Sequence, residues 1–207
     1  NITWEKAKKY NIGIDATVFE GLSGSVDIFM DRRTNILSSR SISIPAVSGI
    51  SSSQIPNENI GEVENKGIEG SLQYVGKING FTYNIGGNIA YARNKIIFAD
   101  EAPNTLPYQK YTGLPIGSDL MYRAIGIFRT QHDLDAYPKV SGAQLGDLIY
   151  EDYDKDGQIT AADRVRTPLS NVPQIVYGVN LGAGWKDFDL SILFQGQARS
   201  VQYVMIE

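Results

Sequence analysis

Hydrophobic and polar residues alternate with a period of two in six segments of the chain, whereas a helical period is nearly absent. Successive side chains of a β-strand point to opposite faces, so each segment is predicted to be a strand with one apolar and one polar face. Aromatic residues lie near the ends of the apolar rows. The six segments are residues 10–19, 24–31, 67–74, 81–91, 175–185 and 188–195.

The connections between these segments are of two kinds. Short links at residues 20–23, 76–80 and 186–187 predict three hairpins, at about 10–34, 66–93 and 175–199. Long loops of residues 35–65 and 94–174, rich in Ser, Pro, Asn and Gly, separate the hairpins. Because a hairpin returns the chain to its starting side, all short turns lie at one end and both long loops at the other. Outer-membrane barrels have this asymmetry, with short periplasmic turns and long extracellular loops.

The segments are about 10 residues long, which suits a tilted strand that crosses a membrane. Since the smallest membrane barrels have about eight strands, the six segments form only part of a wall. The pattern therefore predicts an all-β fold, an antiparallel up-and-down segment of a large transmembrane β-barrel with long extracellular loops. The residues predicted to face lipid are Ile12, Ile14, Val18, Leu72, Tyr83, Val179, Leu181, Leu190 and Ile192. Those predicted to face the wet interior are Asn11, Asp15, Asp27, Glu69, Gln73, Asn84, Asn88, Asn180, Asp189 and Gln195.

Two other classes of protein are compatible with alternating strands. A soluble, calcium-stabilised β-sandwich serving as a glycan-binding or adhesion module also alternates, but it would bury its apolar rows against each other. An enzyme is the weaker alternative, because the sequence contains no catalytic constellation. Activity on a glycan library would support it.

Composition excludes several kinds of site. The chain of 207 residues has a net charge of -4, which gives no electrostatic basis for binding nucleic acid. It has no cysteine, so disulfides, thiolate zinc sites and cysteine nucleophiles are excluded. His132 is the single histidine, which argues against a histidine-rich metal site or a Ser-His-Asp triad. No apolar run approaches the roughly 20 residues of a membrane helix.

An acidic segment, DYDKDGQITAAD at residues 152–163, carries the sharpest local motif. It fits the calcium-loop pattern DxDxDGx5E except that an aspartate replaces the final glutamate, which leaves the choice between calcium and magnesium open. The alternative is a solvated acidic loop without a metal. The flanking residues are not long amphipathic helices, so the motif predicts a static clip in the long loop rather than a switch. The predicted ligands are Asp152, Asp154, Asp156, Gln158 through its carbonyl, Thr160 and Asp163.

Four runs of the sequence carry a resemblance to a known family. They read WEKAKKYNIGIDATVFEGLSGSVDIFMDRRTNIL (4–37), NIGEVENKGIEGSLQY (59–74), GDLIYEDYDKDGQITAADRV (146–165) and VPQIVYGVNLGAGWKDFDLSILFQGQ (172–197). Together they resemble the C-terminal barrel half of SusC/RagA-type TonB-linked outer-membrane proteins of Bacteroidetes.

The resemblance implies a plugged 22-stranded barrel that imports oligosaccharides or peptides across the outer membrane. It also implies a SusD-like surface lipoprotein as partner, and TonB as the energy source through a plug-bearing N-terminal part that has no counterpart in this sequence. Barrels of this kind usually end in an aromatic residue, whereas this chain ends in Met205, Ile206 and Glu207. We therefore expect a piece of a longer transporter.

Overall fold

A computed structural model describes residues 2–40, 44, 47, 49–51, 54–202 and 204. Over these residues the chain forms ten strands, one short α-helix and isolated 3-10 turns. No helix among them is long and apolar enough to cross a membrane. The strands are β1 (Lys6–Phe19), β2 (Leu22–Ser39), β3 (Asn57–Ile78), β4 (Phe81–Phe98), β5 (Leu120–Tyr122), β6 (Ala124–Ile127), β7 (Leu148–Tyr150), β8 (Arg164–Arg166), β9 (Ile175–Trp185) and β10 (Phe188–Ala198), and the helix is α1 (Gln131–Ala136).

The six long strands form one antiparallel sheet in the order β1-β2-β3-β4-β9-β10. Three tight turns join them in pairs, and backbone conformations with positive φ allow these turns. The turn between β3 and β4 has φ 48° at Asn79 and 83° at Gly80, which is the two-residue geometry that matches the twist of a hairpin. Gly21 takes φ 88° between β1 and β2. The predicted all-β, up-and-down antiparallel architecture is confirmed.

The strands extend further toward the long-loop end than the alternation indicates. β2 continues to Ser39 and β3 begins at Asn57, so their connection is residues 40–56 rather than 35–65. Neither face of these extensions is uniformly apolar, and the period-two signal therefore fades before the strands end. Residues 41–43, 45, 46, 48, 52 and 53 of this loop lie outside the described residues, as do Met205, Ile206 and Glu207 at the chain end.

The strand register shows that the sheet has one apolar face and one polar face. Directly paired residues lie on the same face of an antiparallel sheet, and Ile12, Ile28, Ile68 and Tyr91 form one such row across four strands. The rows below it continue to Phe81, Trp185 and Phe188 near the turns. We call this surface the apolar face, and the opposite surface the polar face.

The apolar face is not covered by another layer. Ile12 is 76% exposed, Ile14 70% and Leu190 59%. A β-sandwich would bury these side chains between two sheets, so the β-sandwich alternative is wrong. Of the residues predicted for the lipid side, Val18 lies at the irregular pairing beside the first turn, and the others lie on the apolar face.

The long segment between β4 and β9 folds into a small body of its own, which the sequence pattern presents only as a loop. β5 pairs with β8, and β6 pairs with β7. A small core of Phe128, Leu134 and Ile149 holds α1 against the β6–β7 pair. We call residues 99–174 the loop body.

Candidate functional site

The polar face contains all ten residues that the sequence predicts for the wet interior. Asp27 pairs with Glu69, Asp15 with Ser25, and Asn88 with Ser71, so these side chains lie in continuous rows across the sheet. Hydroxyl, amide and carboxylate groups dominate these rows. Such a surface contacts water or a polar ligand favourably and would be costly to place in hydrocarbon.

Glycine and polar residues alternate across the pairing of β4 with β9 on this face. Asn84 lies opposite Gly182, Gly86 opposite Asn180, and Asn88 opposite Gly178. A Cβ added at Gly182 would lie 2.5 Å from Asn84 Oδ1, and one added at Gly178 would lie 2.7 Å from Asn88 Oδ1. Each asparagine side chain therefore lies over the glycine of the neighbouring strand and occupies the space that a larger residue would need.

A charged cluster lies on the polar face at the long-loop end. Asp31 forms two ion pairs, in which its Oδ2 lies 3.9 Å from Lys9 Nζ and 3.5 Å from Arg33 Nε. Arg33 Nη1 also lies 3.3 Å from Glu5 Oε1. One oxygen of the Asp31 carboxylate, Oδ1, is therefore buried without a hydrogen-bond partner in the described part of the chain.

The loop body closes over this cluster and forms a cavity. The cavity has a volume of about 530 Å³, and Glu5, Asp31 and Arg33 line one side of it. Pro115, Ile116, Ser170 and residues 172–174 line the other side. Asn94 Oδ1 on β4 accepts a hydrogen bond from Ile116 N at 2.7 Å, which ties the loop body to the polar face. We call this space the mouth cavity.

The acidic motif forms a compact turn within the loop body. Carboxylate oxygens of Asp152, Asp154 and Asp156 lie within 4.8 Å of one another. The turn is held by Asp152, which accepts from Asp156 N at 3.1 Å and from Gly157 N at 2.8 Å. Gly157 has φ 84°, a conformation that glycine adopts without strain. Three converging carboxylates are a donor set that a hard cation such as calcium prefers.

The other three predicted ligands lie differently. Asp163 is 1% exposed, and its carboxylate accepts hydrogen bonds from the backbone amides of Tyr153 at 2.8 Å and Thr160 at 2.7 Å. Thr160 Oγ1 accepts from Ala162 N at 3.1 Å, so Thr160 and Asp163 form a capping box on a 3-10 turn. Gln158 donates its backbone amide to Asp156 Oδ1 at 2.8 Å. The structure therefore brings together three of the six residues, and Asp163 lies outside that cluster.

The role of Asp163 has a signal in the sequence. Residues 160–163 read TAAD, and a threonine followed three residues later by an acidic residue is typical of a capping box. The calcium-loop pattern assigns the same aspartate to position 12, so two motifs overlap on one side chain.

The carboxylates of the motif repel one another. The pKa of Asp154 is raised above its ordinary value, because the carboxyl is partly desolvated and because Asp156, Asp163 and Asp152 are close like charges. A positive ion between these carboxylates would relieve that repulsion.

Aromatic and cationic side chains next to the motif enclose a second cavity, of about 630 Å³. The Tyr108 and Tyr153 ring centroids are 4.5 Å apart, and Arg123 lies 5.6 Å above the Tyr153 ring. Burial raises the pKa of Tyr108, and the nearby Asp154 and Asp163 raise it further. These rings therefore pack within the loop body while part of their surface lines the cavity.

The geometry defines a class of protein. An exposed antiparallel sheet with an apolar band from Phe81 to Tyr91 on β4, tight turns at one end and a folded loop body at the other is the wall of a transmembrane β-barrel. The apolar face then contacts lipid, and the polar face lines the lumen.

Comparison with known proteins identifies the family. The family model for the TonB dependent receptor-like β-barrel matches residues 1–205. TonB-dependent receptor P3 of Formosa agariphila is 30% identical over 100% of the chain and 22% of the relative. TonB-dependent receptor P26 of the same organism is 27% identical over 95% of the chain and 20% of the relative. The chain belongs to the TonB-dependent receptor β-barrel family and spans about a fifth of the length of these relatives.

Solved structures share the same fold. The RagAB peptide importer in its open-open state superimposes with a TM-score of 0.71 and 23% identity, over 97% of this chain and 21% of the importer chain. The closed-closed state gives a TM-score of 0.66 and 24% identity, over 96% of this chain and 22% of the importer chain. The expected resemblance to SusC/RagA-type barrels is confirmed, and the chain lies in the outer membrane. Its family consists of transport receptors rather than enzymes.

Proposed function

We propose that this chain forms part of the wall and the extracellular mouth of a TonB-dependent importer of oligosaccharides or peptides. The observation that carries the proposal is the mouth cavity, which is lined by charged, polar and apolar side chains. It lies between the lumenal face and the loop body, where an entering solute would first contact the barrel. Asp31, Arg33 and Glu5 offer both signs of charge there. Backbone groups and charged termini of a peptide, or hydroxyl groups of a sugar, can bind to such groups.

The partners and the energy source belong to the same proposal. A surface lipoprotein of the SusD type would deliver the solute from outside, and TonB would act through another part of the full-length protein. The structural similarity to RagAB, a peptide importer, supports a peptide as the first solute to test. Oligosaccharides are the alternative class of solute.

Two adjacent arginines on β2 provide the test of the import proposal. Arg33 lines the mouth cavity. Arg32 lies on the opposite face of the sheet, in register with Lys8 and Glu64, and forms an ion pair with Glu62. We expect Arg33→Gln in the full-length protein to reduce uptake severalfold, because the mouth loses its cation and Asp31 loses an ion-pair partner. Arg32→Gln should leave uptake unchanged.

Uptake is measured with a labelled oligopeptide library and an oligosaccharide library, in cells that carry the variant as their only copy. The two solute classes are distinguished by which library enters the cells. Equal uptake by both variants, at equal amounts of protein in the outer membrane, would contradict the placement of solute at the mouth cavity.

We infer that the acidic motif holds a calcium ion through Asp152, Asp154 and Asp156, with the carbonyl of Gln158 and Thr160 completing the set. The convergence of the three carboxylates and the raised pKa of Asp154 support this inference. Asp163 accepts hydrogen bonds from the backbone of the acidic turn. The turn would therefore already be folded before a cation binds to the three clustered carboxylates. Magnesium is the alternative ion.

The calcium proposal predicts a metal-dependent stability of the loop body. We expect Asp156→Ala to lower calcium affinity about tenfold or more, because one of three carboxylates is lost. Calcium should slow proteolysis of the loop body in the original protein and have little effect in the variant. Isothermal titration of the full-length protein with calcium and with magnesium measures both affinities.

Asp119→Ala is the matched control, because Asp119 is an exposed aspartate in the same loop body but outside the motif. A titration in which the original protein binds neither ion would end the metal proposal. The capping role of Asp163 would stand regardless.

A further inference from the structure

The apolar face changes character at its long-loop end, where three successive rows of paired residues run from apolar to charged. The lowest of the three rows is Ile12, Ile28, Ile68 and Tyr91. The next row is Tyr10, Met30, Lys66 and Arg93. The last row is Lys8, Arg32, Glu64 and Lys95.

Positive charge predominates in the two upper rows, although the whole chain has a net charge of -4. Their basic residues, which we call the basic band, are Lys8, Arg32, Lys66, Arg93 and Lys95. Lys66 Nζ lies 3.1 Å from Glu64 Oε1, and Arg32 is paired with Glu62. Within the described part of the chain, Lys8, Arg93 and Lys95 have no acidic partner. The band therefore has unpaired cations available for an anion.

An apolar groove lies directly below the unpaired charges. It has a volume of about 580 Å³, and Tyr10, Tyr91, Lys66 and Arg93 line it together with Ile12, Ile28, Met30 and Ile68. Two tyrosines and two cations thus lie beside an aliphatic floor. Ile12 is 76% exposed and Ile68 45% exposed, so the floor is open to whatever surrounds the barrel.

We propose that this groove and the basic band bind a phosphate-bearing lipid of the outer leaflet. One acyl chain lies in the groove against Ile12, Ile28 and Ile68, and a phosphate group contacts Lys66 and Arg93 at its upper end. Lys8 and Lys95 in the row above contact a second phosphate or neighbouring headgroup. The long-loop end is the extracellular end of an outer-membrane barrel, which places the band at the outer leaflet.

The arrangement fits a lipid better than a protein partner. The groove continues without a break into the rows of the apolar face that lie in the hydrocarbon, and its charges lie at the height where headgroups begin. Charge-assisted hydrogen bonds from arginine and lysine to phosphate are strong, and lysine stems can lie along apolar surface while the ammonium group reaches the headgroup. The same side chains turned toward the lumen could not contact lipid at all.

The test compares matched pairs of charge removals in the full-length protein. Lys66→Ala combined with Arg93→Ala removes two cations from the apolar face, and Lys9→Ala combined with Lys77→Ala removes two from the polar face. Bound lipid is measured by native mass spectrometry of protein extracted in mild detergent. The probes are bis-phosphorylated lipid A, dephosphorylated lipid A and inorganic phosphate. The heat-modifiable mobility of each variant on a gel verifies that it is folded.

We expect the original protein and the polar-face variant to retain bis-phosphorylated lipid A, and the Lys66/Arg93 variant to bind it about tenfold more weakly or worse. Dephosphorylated lipid A should bind the original protein about tenfold more weakly than bis-phosphorylated lipid A does. Ile68→Trp, which fills the groove, should weaken lipid A binding with the cations intact, and Arg93→Gln alone gives a milder variant if the double variant does not fold.

Three results would overturn the proposal. They are equal lipid A binding by the two double variants, equal binding of phosphorylated and dephosphorylated lipid A, and binding of inorganic phosphate as tight as that of lipid A. The last result would indicate a site for a free anion. Solute uptake is measured separately, so failure of the import proposal does not affect this readout.

Discussion

Leu181→Arg is expected to prevent assembly of the full-length protein in the outer membrane, whereas Asn180→Arg is expected to assemble normally. The two residues are neighbours on β9 and lie on opposite faces of the sheet. Leu181 pairs with Ile85 and Ile192 near the middle of the apolar band, where an arginine costs about 2–4 kcal/mol in a barrel. Asn180 faces the lumen, where a guanidinium group remains in water.

Assembly is measured by the heat-modifiable mobility of the barrel and by its protection from protease in intact cells. Because the substituted residues are adjacent and the new side chain is the same, strand propensity and position along the barrel are matched. Equal assembly of the two variants would contradict the assignment of the two faces. Loss of assembly only in Asn180→Arg would show that the polar face contacts lipid and the apolar face lines the lumen.

Asp163→Ala is expected to unfold the acidic turn of the loop body and to leave the barrel wall intact. The buried carboxylate accepts hydrogen bonds from the amides of Tyr153 and Thr160, and each buried donor left without a partner costs about 1–3 kcal/mol. We therefore expect a local destabilisation of roughly 2 kcal/mol or more. Asp163→Asn should have an intermediate effect, because its carboxamide keeps one acceptor oxygen but presents the NH2 group, a donor, to the second backbone amide.

Hydrogen exchange of the amides of residues 153 and 160 measures this effect directly. Asp163→Ala should speed exchange at these amides in the absence of any metal, whereas Asp156→Ala should not, since Asp156 lies in the exposed cluster. If Asp163→Ala changed only calcium binding and left exchange unaltered without metal, the side chain would be a ligand rather than a structural support.

The sheet could be predicted from the sequence because lipid on one side and water on the other impose a strict period of two. Leu193 breaks the alternation and lies on the polar face 65% exposed, yet the pairing of Leu193 with Asn180 keeps the register. The pairing of β4 with β9 could not be read from local pattern. It joins segments separated by the whole loop body, and only the fold brings them together.

The loop body was beyond prediction for a different reason. Its strands β5 to β8 have three or four residues each, too few for a periodic signal. The acidic motif is recognisable because its residues are consecutive in the sequence. The mouth cavity has no such local signal, since Asp31 and Arg33 come together with Ile116 and Gln174 only when the loop body packs against the sheet.

The alternation of glycine and asparagine between β4 and β9 has a consequence for the bore of the barrel. Each amide side chain lies over a glycine of the next strand. This stretch of the inner surface is therefore hydrophilic, but few of its side chains project into the pore. A domain or solute that moves inside the pore would contact few protruding side chains along this strip. The pore is also wider there than the same strands would leave with a bulky residue at every inward position, so clearance along this strip is set by backbone rather than by side chains.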